Sequence, residues 1–340
     1  MTRPLQKILE CENVDLAMFR EIIVPQNKPV VLKGLVANWP AVREGMKSPG
    51  ALVEYIKRFD QGRLAQILVG DPAINGQFFY TDDNDLLKVN FRRQEDKIGA
   101  VMDWLIEHQA DERPYAVAVQ AVPTPEFLPN FSNENSIGLP PISSVPRIWI
   151  GNAVTIATHY DVNYNIACVV TGRRRFTLFP PEQLPNLYIG PLDHTPAGSP
   201  ASMVNFDEPD LVRYPRFVEA LATAQQAELE PGDAIYIPYV WWHHVKSLAN
   251  FNVLVNYWWN EATSHAGRPF NCLAHAFLGL RELPPDQREV WRMIFDHYVF
   301  QTNGDPAAHL GPSYQGIMRA PLSPELAAEM RANLIKSLGG

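Results

Sequence analysis

Pro231-Gly-Asp-Ala-Ile-Tyr-Ile-Pro238-Tyr-Val-Trp-Trp-His243-His244-Val245 is the stretch on which the fold reading turns. A Pro-Gly-Asp turn opens it, the short apolar run Ala-Ile-Tyr-Ile follows, and a second proline closes that run before a new strand starts at the histidines. Strands this short, separated by turn residues, belong to an antiparallel sandwich or barrel. The same pattern recurs over 115–119, 147–150, 165–170, 174–179 and 252–258. The chain has 30 prolines in 340 residues, spread without a period, which fits many short elements and argues against long helical bundles. Upstream the reading is mixed: helices over 15–22 and 97–108, a strand over 29–34, and a helix opening at Ser48-Pro49. Beyond Asn260 the apolar spacing turns helical over 270–281, 285–298 and 325–338. No internal repeat or linker divides the chain, so 1–260 is expected as one β-rich domain with N-terminal α/β elements and 261–340 as a helical C-terminal region.

Composition narrows the function. Twenty-nine basic against 37 acidic residues give a net charge of −8, the wrong sign for a protein whose main partner is a phosphate backbone, so nucleic acid is not expected as a partner. Cys11, Cys168 and Cys272 are widely spaced and outside any Cys-x-x-Cys pattern, which suggests neither a disulfide framework nor a zinc knuckle. No signal-peptide core and no run of about 18 apolar residues is present. A cytoplasmic protein without membrane attachment is expected.

Thr158-His159-Tyr160-Asp161 carries the chemistry. In a strand, residues two apart share a side, so the His159 imidazole and the Asp161 carboxylate can converge while Tyr160 faces away. A His-x-Asp pair is often only structural. A third ligand from the 231–245 stretch would complete two histidines and a carboxylate on one face of an octahedral ion, leaving three positions open, the arrangement suited to non-haem Fe(II). His243 and His244 are adjacent and face opposite sides of a strand, and spacing does not choose between them.

Further motifs carry a resemblance: Lys28-Pro-Val-Val-Leu-Lys-Gly-Leu-Val-Ala-Asn-Trp-Pro40, His159-Tyr-Asp161, Thr171-Gly-Arg-Arg-Arg-Phe-Thr-Leu-Phe-Pro-Pro181, Val204-Asn-Phe-Asp-Glu-Pro-Asp-Leu-Val-Arg-Tyr-Pro215, Trp241-Trp-His-His-Val245 and Asn256-Tyr-Trp258. In this order they resemble the JmjC-like cupins, in particular the cupin-8 group that includes the asparaginyl hydroxylase of hypoxia-inducible factor. The resemblance implies a mostly β fold with helices: a double-stranded β-helix, the cupin or jelly-roll barrel, with N-terminal α/β elements and C-terminal helices. It implies Fe(II) and 2-oxoglutarate as cofactors and His159, Asp161 and His243 as catalytic metal ligands. Arg174, two places after Gly172, matches the basic residue that pairs with the distal carboxylate of 2-oxoglutarate; many relatives carry lysine there. Asn165 and Asn256 match amide positions near the cosubstrate.

One position departs from the family. Relatives often carry a threonine three places before the first ligand, and Ile156 stands there. Thr155, through a bulge, or Thr158 could take that role, and Tyr115 is a candidate for the phenol that relatives use. Without the resemblance, Arg174 reads equally as part of a solvated basic turn, Asn165 and Asn256 as strand-end polar groups, and Tyr115 as a core residue. The function implied is a 2-oxoglutarate-dependent hydroxylase of a protein, peptide or small-molecule substrate, with Trp241, Trp242, Trp258 and Trp259 as candidates for the substrate wall. The alternative is a regulatory cupin that binds a metal or ligand without turnover. A histone demethylase fits less well, since the acidic chain shows no reader domain or basic docking tract. By the same resemblance the C-terminal helices are expected to support a homodimer.

Overall fold

The computed structural model describes residues 5–81, 88–196 and 198–339. Two compact units divide the chain, Met1–Asn260 and Glu261–Gly340.

The first unit is built on fifteen strands among the described residues. The N-terminal part holds β1 (Gln6–Lys7), β2 (Leu9–Glu12), β3 (Val30–Lys33), β4 (Leu64–Gly70), β5 (Gln77–Phe78), β6 (Phe91–Lys97) and β7 (Ala116–Pro123). Then come β8 (Pro146–Gly151), β9 (Thr155–Tyr160), β10 (Tyr164–Thr171), β11 (Arg174–Phe179), β12 (Gln225–Leu229), β13 (Ala234–Ile237), β14 (Trp242–Ser247) and β15 (Asn252–Trp259). They form a nine-stranded sheet in the order β2-β3-β13-β10-β15-β8-β7-β4-β6 and a six-stranded sheet in the order β1-β12-β11-β14-β9-β5. The chain passes repeatedly from one sheet to the other between β8 and β15, and this is the jelly-roll barrel of a cupin-like fold.

The central strands of the large sheet are buried on both faces, and alternation sorts their residues. On β10, Ile166, Cys168 and Val170 join the core outside the barrel, while Ala167 and Val169 join the core inside it. Phe176 and Leu178 of β11 share this inner core with Val245 of the neighbouring β14 and with Leu254 of β15 from the facing sheet. Burying a side chain such as Phe176 contributes roughly 1.5–3 kcal/mol. The outer face is covered by helices Pro40–Lys47, Pro49–Lys57 and Ile98–Glu107, through Val42, Leu52, Ile56, Ile98 and Met102. The Ser48 hydroxyl caps the second of these by accepting from Ala51 N at 3.1 Å, with Pro49 in the first turn.

The Pro-Gly-Asp turn is an anchor. Asp233 accepts from Gly34 N at 3.0 Å, Glu230 N at 3.1 Å and the Lys33 ammonium at 2.5 Å. These bonds tie β13 to the end of β3. The hydrogen bond to Asp233 raises the Lys33 pKa against the opposing effect of burial.

The helix expected over 15–22 is an α-turn, Leu16–Met18, that widens into a π-helix, Phe19–Ile23. Pro25 lies just beyond and has no N–H to offer the Glu21 carbonyl, so a regular α-helix cannot continue through it. Strands β4, β6 and β12 were not expected. Phe-Arg-Arg-Gln-Glu-Asp-Lys on β6 has no apolar alternation because it forms a solvent-exposed sheet edge.

The second unit contains helices Pro269–Leu280, Pro285–Tyr298 and Pro324–Leu338, each with proline in its first turn. Among the described residues no helix is long and apolar enough to cross a membrane.

Candidate functional site

Strands β9 and β14 pair antiparallel, with His159 opposite His243. Directly opposed residues bring their side chains together on one face, and the two rings lie 4.2 Å apart between centroids. Asp161 follows β9 immediately, and its Oδ2 lies 3.6 Å from His243 Nε2. One ligand atom from each of the three residues lies within 4.8 Å of the other two. His159 Nδ1 is 2.8 Å from the Ala157 carbonyl, and His243 Nδ1 is 3.0 Å from the Trp241 carbonyl. A carbonyl oxygen only accepts, so Nδ1 carries the proton in both rings and Nε2 presents its lone pair to the shared point. Burial, and then the neighbouring His159, push the His243 pKa down to about 4 against the pull of Asp161. His243 is therefore neutral at pH 7, the state that ligates a metal.

The register settles the choice that spacing left open. His243 points into the barrel with Trp241 and Val245, whereas His244 faces outward, buried against the Phe206 ring at 4.6 Å. Burial lowers the His244 pKa to about 4, and its Nδ1 has no partner among the described residues.

The three residues open into a cavity of about 440 Å³. Arg174 lines it because it shares a face of β11 with Phe176 and Leu178, which lie in the core inside the barrel. Arg173 and Arg175 point the other way and pair with Glu228 and Glu230. Arg174 is 8% exposed, has no ion pair among the described residues, and its Nε has no hydrogen-bond partner. Burial lowers its pKa from 12.5 to about 10, so it remains charged at neutral pH.

Asn165 and Asn256 also line the cavity, and they form a directed relay. Trp149 Nε1 donates to Asn256 Oδ1 at 2.8 Å, and Asn256 Nδ2 donates to Asn165 Oδ1 at 3.2 Å. Both acceptor oxygens are thereby engaged, which leaves the Asn165 amide as a donor toward the cavity.

Thr155, Thr158 and Tyr115 are not brought to this cavity. Strand β9 carries one extra residue between the pairs His159–His243 and Ile156–Val245, a bulge that turns both Ile156 and His159 inward. The bulge proposed as a way to bring Thr155 inward is present, but it places Ile156 there. Thr155 pairs with Lys246, and Thr158 is buried on the outward side. Tyr115 precedes β7 in step with Val117 and Val119, which face the core outside the barrel; it is 42% exposed, under the Arg92 guanidinium. Of the four tryptophans named for the wall, only Trp258 lines the cavity. Trp241 is packed in the barrel and donates to the Asn27 carbonyl, while Trp242 and Trp259 face other cores.

The outer wall was missing from the sequence reading. Gln66 comes from β4, Arg93 from β6 and Gln120 with Ala121 from β7, all strands of the N-terminal region. Strand β7 bulges against β8 between Val119 and Val122, with Ala121 at φ 48° and its carbonyl held by Arg147 Nη1 at 2.8 Å. Two consecutive residues, Gln120 and Ala121, consequently face the cavity. The 182–215 loop contributes Pro196, Gly198 and Ser199 to the wall. It is pinned by Arg93 donating to Pro196 O at 2.7 Å and Tyr80 to His194 O at 3.0 Å, and Ser199 Oγ donates to Asp161 Oδ1 at 3.4 Å.

Comparison with known proteins agrees with this geometry. The family model of the cupin-like domain, Cupin-8, matches residues 16–265. A lysine-specific demethylase of Arabidopsis thaliana, JMJ31, is 37% identical over 143 residues, 42% of this chain and 24% of the relative. tRNA wybutosine-synthesizing protein 5 of Danio rerio is 34% identical over 169 residues, 45% of this chain and 48% of the relative; that of Homo sapiens is 28% identical over 320 residues, 83% of this chain and 92% of the relative. The first two matches thus span less than half of the relatives' own length. None of these three is the asparaginyl hydroxylase, and the resemblance stands at the level of the family. The matched region contains every cavity residue described above, and the chain belongs to the Cupin-8 family of cupin-like domains.

Proposed function

We propose that this chain is an Fe(II)- and 2-oxoglutarate-dependent dioxygenase that hydroxylates a protein side chain or a small molecule. One observation carries the reading: a His159-Asp161-His243 donor set and a buried Arg174 with no ion pair among the described residues share one cavity. The donor set suits the ion, since two neutral imidazoles and a carboxylate on one face leave three coordination positions free. Fe(II) and 2-oxoglutarate, when bound, supply the oxidation in which dioxygen and the oxo acid yield succinate, carbon dioxide and a hydroxylated product. His159, Asp161 and His243 would hold the metal. Arg174 would bind the distal carboxylate by charge-assisted hydrogen bonds, and the Asn165–Asn256 relay would orient donors beside the metal. Ile156, Phe176, Val245 and Leu254 would give the cavity an apolar lining that limits water, and Gln66, Arg93, Gln120 and Trp258 would meet the prime substrate. The names of the relatives, a demethylase and tRNA-modifying proteins, support an oxygenase of this type without fixing the substrate. The net charge of −8 supports a substrate other than nucleic acid.

The test is succinate formation in air with Fe(II) and 2-oxoglutarate, using wild type and Asp161→Asn, with peptides, free amino acids and tRNA offered in separate arms. The account expects iron-dependent succinate from wild type only, increased by a peptide or amino acid. Stimulation by tRNA alone would refute the substrate assignment. Binding of 2-oxoglutarate without any succinate would favour the second reading, a regulatory cupin that does not turn over.

A homodimer through the second unit is part of this proposal. Phe270, Leu273, Phe277 and Leu278 on one helix and Val290, Trp291 and Met293 on the next are exposed. Such a set of large apolar residues suits a self-association face. Sedimentation of the full chain as a dimer supports it, and a monomer contradicts it.

A further inference from the structure

Strand β6 ends the nine-stranded sheet, and among the described residues it pairs on one side only, with β4. In an antiparallel pair every second residue turns both its N–H and its C=O away from the partner. Over seven residues, Phe91–Lys97, most of them exposed, β6 therefore offers a row of main-chain donors and acceptors to an added strand.

The two faces of this edge open on two different cavities. Arg93 pairs with Leu68, and both line the cavity that holds His159, Asp161 and His243. Arg92 and Gln94 pair with Val69 and Ile67, and these four line a second cavity of about 460 Å³ on the opposite face. Its floor is apolar, since Ile67, Val69 and Val117 belong to the core outside the barrel, and Trp104 and Tyr115 add aromatic wall. Successive residues of an extended chain alternate between faces, so a strand laid on β6 turns one side chain toward the metal-site cavity and the next toward the apolar one. The edge is also polarised in charge, with Arg92 and Arg93 toward one end and Glu95 and Asp96 toward the other. Its complement carries an acidic residue at the first end and a basic residue at the second. A second copy of the chain paired antiparallel through β6 would match these charges but not the apolar cavity: Phe91 aside, β6 has only polar and charged side chains to bring there.

We propose that the β6 edge docks an extended peptide by strand addition, with a large apolar side chain seated in the Trp104–Tyr115 cavity and the adjacent residue facing the metal-site cavity beside Arg93. This narrows the substrate class to a polypeptide segment in extended conformation, and it rests on the dioxygenase reading only in calling that segment the substrate. Main-chain bonds supply the attachment, so selectivity falls on the alternation of apolar and polar residues rather than on one side chain.

The test is fluorescence anisotropy of a labelled nine-residue probe with metal-free full-length protein. The probe alternates leucine with polar residues, acidic at one end and basic at the other, and is made in both chain directions. Each version is also made with its amides methylated on the leucines alone or on the polar residues alone. Strand addition uses the N–H groups of one alternate set, so only one of the two methylated forms should lose binding, by about tenfold or more. Gln94→Trp, at an exposed position on the rim, fills the apolar cavity and should weaken the unmethylated probe about tenfold. No binding of the probe in either direction would overturn the proposal, as would equal effects of the two methylations, a comparison that needs no variant to fold. Full affinity in a folded Gln94→Trp would refute the part assigned to the apolar cavity. Sedimentation of the probe-free chain as a dimer that Gln94→Trp separates would place a second copy on the edge and overturn the peptide assignment. If wild type binds the probe as expected yet forms no succinate with iron and 2-oxoglutarate, the dioxygenase reading fails while the strand addition stands.

Discussion

Replacing Arg174 by methionine should stabilise the ligand-free protein. The guanidinium lies at the end of a barrel, 8% exposed and unpaired among the described residues. Burial lowers its pKa from 12.5 to about 10. At 1.36 kcal/mol for each pKa unit, this corresponds to roughly 3 kcal/mol against the charged form in the folded state. Methionine keeps most of the length of the apolar stem and removes the charge. Arg174→Met is therefore expected to gain about 2–3 kcal/mol in urea unfolding followed by tryptophan fluorescence, without metal or dicarboxylate. Added Mn(II) and 2-oxoglutarate should then reverse the order, because only wild type gains binding free energy from the dicarboxylate. A site tuned for a ligand commonly gives up stability in this way. A variant less stable than wild type in ligand-free buffer would refute the reasoning, since it would mean that the folded protein already satisfies the guanidinium.

Three further outcomes are expected. Gly172 sits at φ 77°, and a Cβ there would lie 2.2 Å from Asn252 Oδ1 and 2.7 Å from the Phe251 carbonyl; Gly172→Ala should cost about 3 kcal/mol or more and lower Tm by about 6 °C or more in a thermal melt. Trp149→Phe removes the indole donor that fixes the Asn256 amide, and the loss of about 1 kcal/mol of orientation should weaken 2-oxoglutarate binding about fivefold by calorimetry. Tyr55 has its pKa pushed up to about 12, first by burial. A group whose folded pKa is raised contributes stability that is present below pH 10 and lost as pH rises through 12. Tyr55→Phe, which gives up hydrogen bonds with Glu134 and Asn135, should lower the neutral-pH plateau by about 1 kcal/mol and flatten this alkaline fall.

The barrel was legible because its strands are buried on both faces. Val-Val-Leu on β3 and Ile-Ala-Cys-Val-Val on β10 read as continuous apolar runs, and the Pro-Gly-Asp turn announces the strand after it. Strand β6 was not legible because a polar sheet edge carries no alternation, and β12, Gln-Gln-Ala-Glu-Leu, was not legible because it is short and largely polar. At the site, the convergence of His159 and Asp161 follows from a two-residue spacing, while the orientation of His243 against His244 depends on the β9–β14 register. Thr155 and Thr158 entered because Ile156 departs from the family's threonine; a bulge was foreseen, but local spacing cannot say which residue it turns inward, and the register turns Ile156. Gln66, Arg93 and Gln120 lie on β4, β6 and β7, distant in sequence from the motif, and only sheet order brings them to the cavity. A signal was present for Gln120: a lone amide in the apolar run Ala-Val-Ala-Val-Gln-Ala-Val of β7.

The central claim is that His159, Asp161, His243 and Arg174 together bind one metal ion and one 2-oxo dicarboxylate. Anaerobic titration of the full chain with Fe(II) and then 2-oxoglutarate, followed by visible absorption, tests it most directly. The account predicts a metal-to-ligand charge-transfer band that needs both additions, saturates at one equivalent of iron per chain, and is lost in His243→Ala. Stoichiometric iron and excess 2-oxoglutarate with no band in the wild-type protein would contradict it.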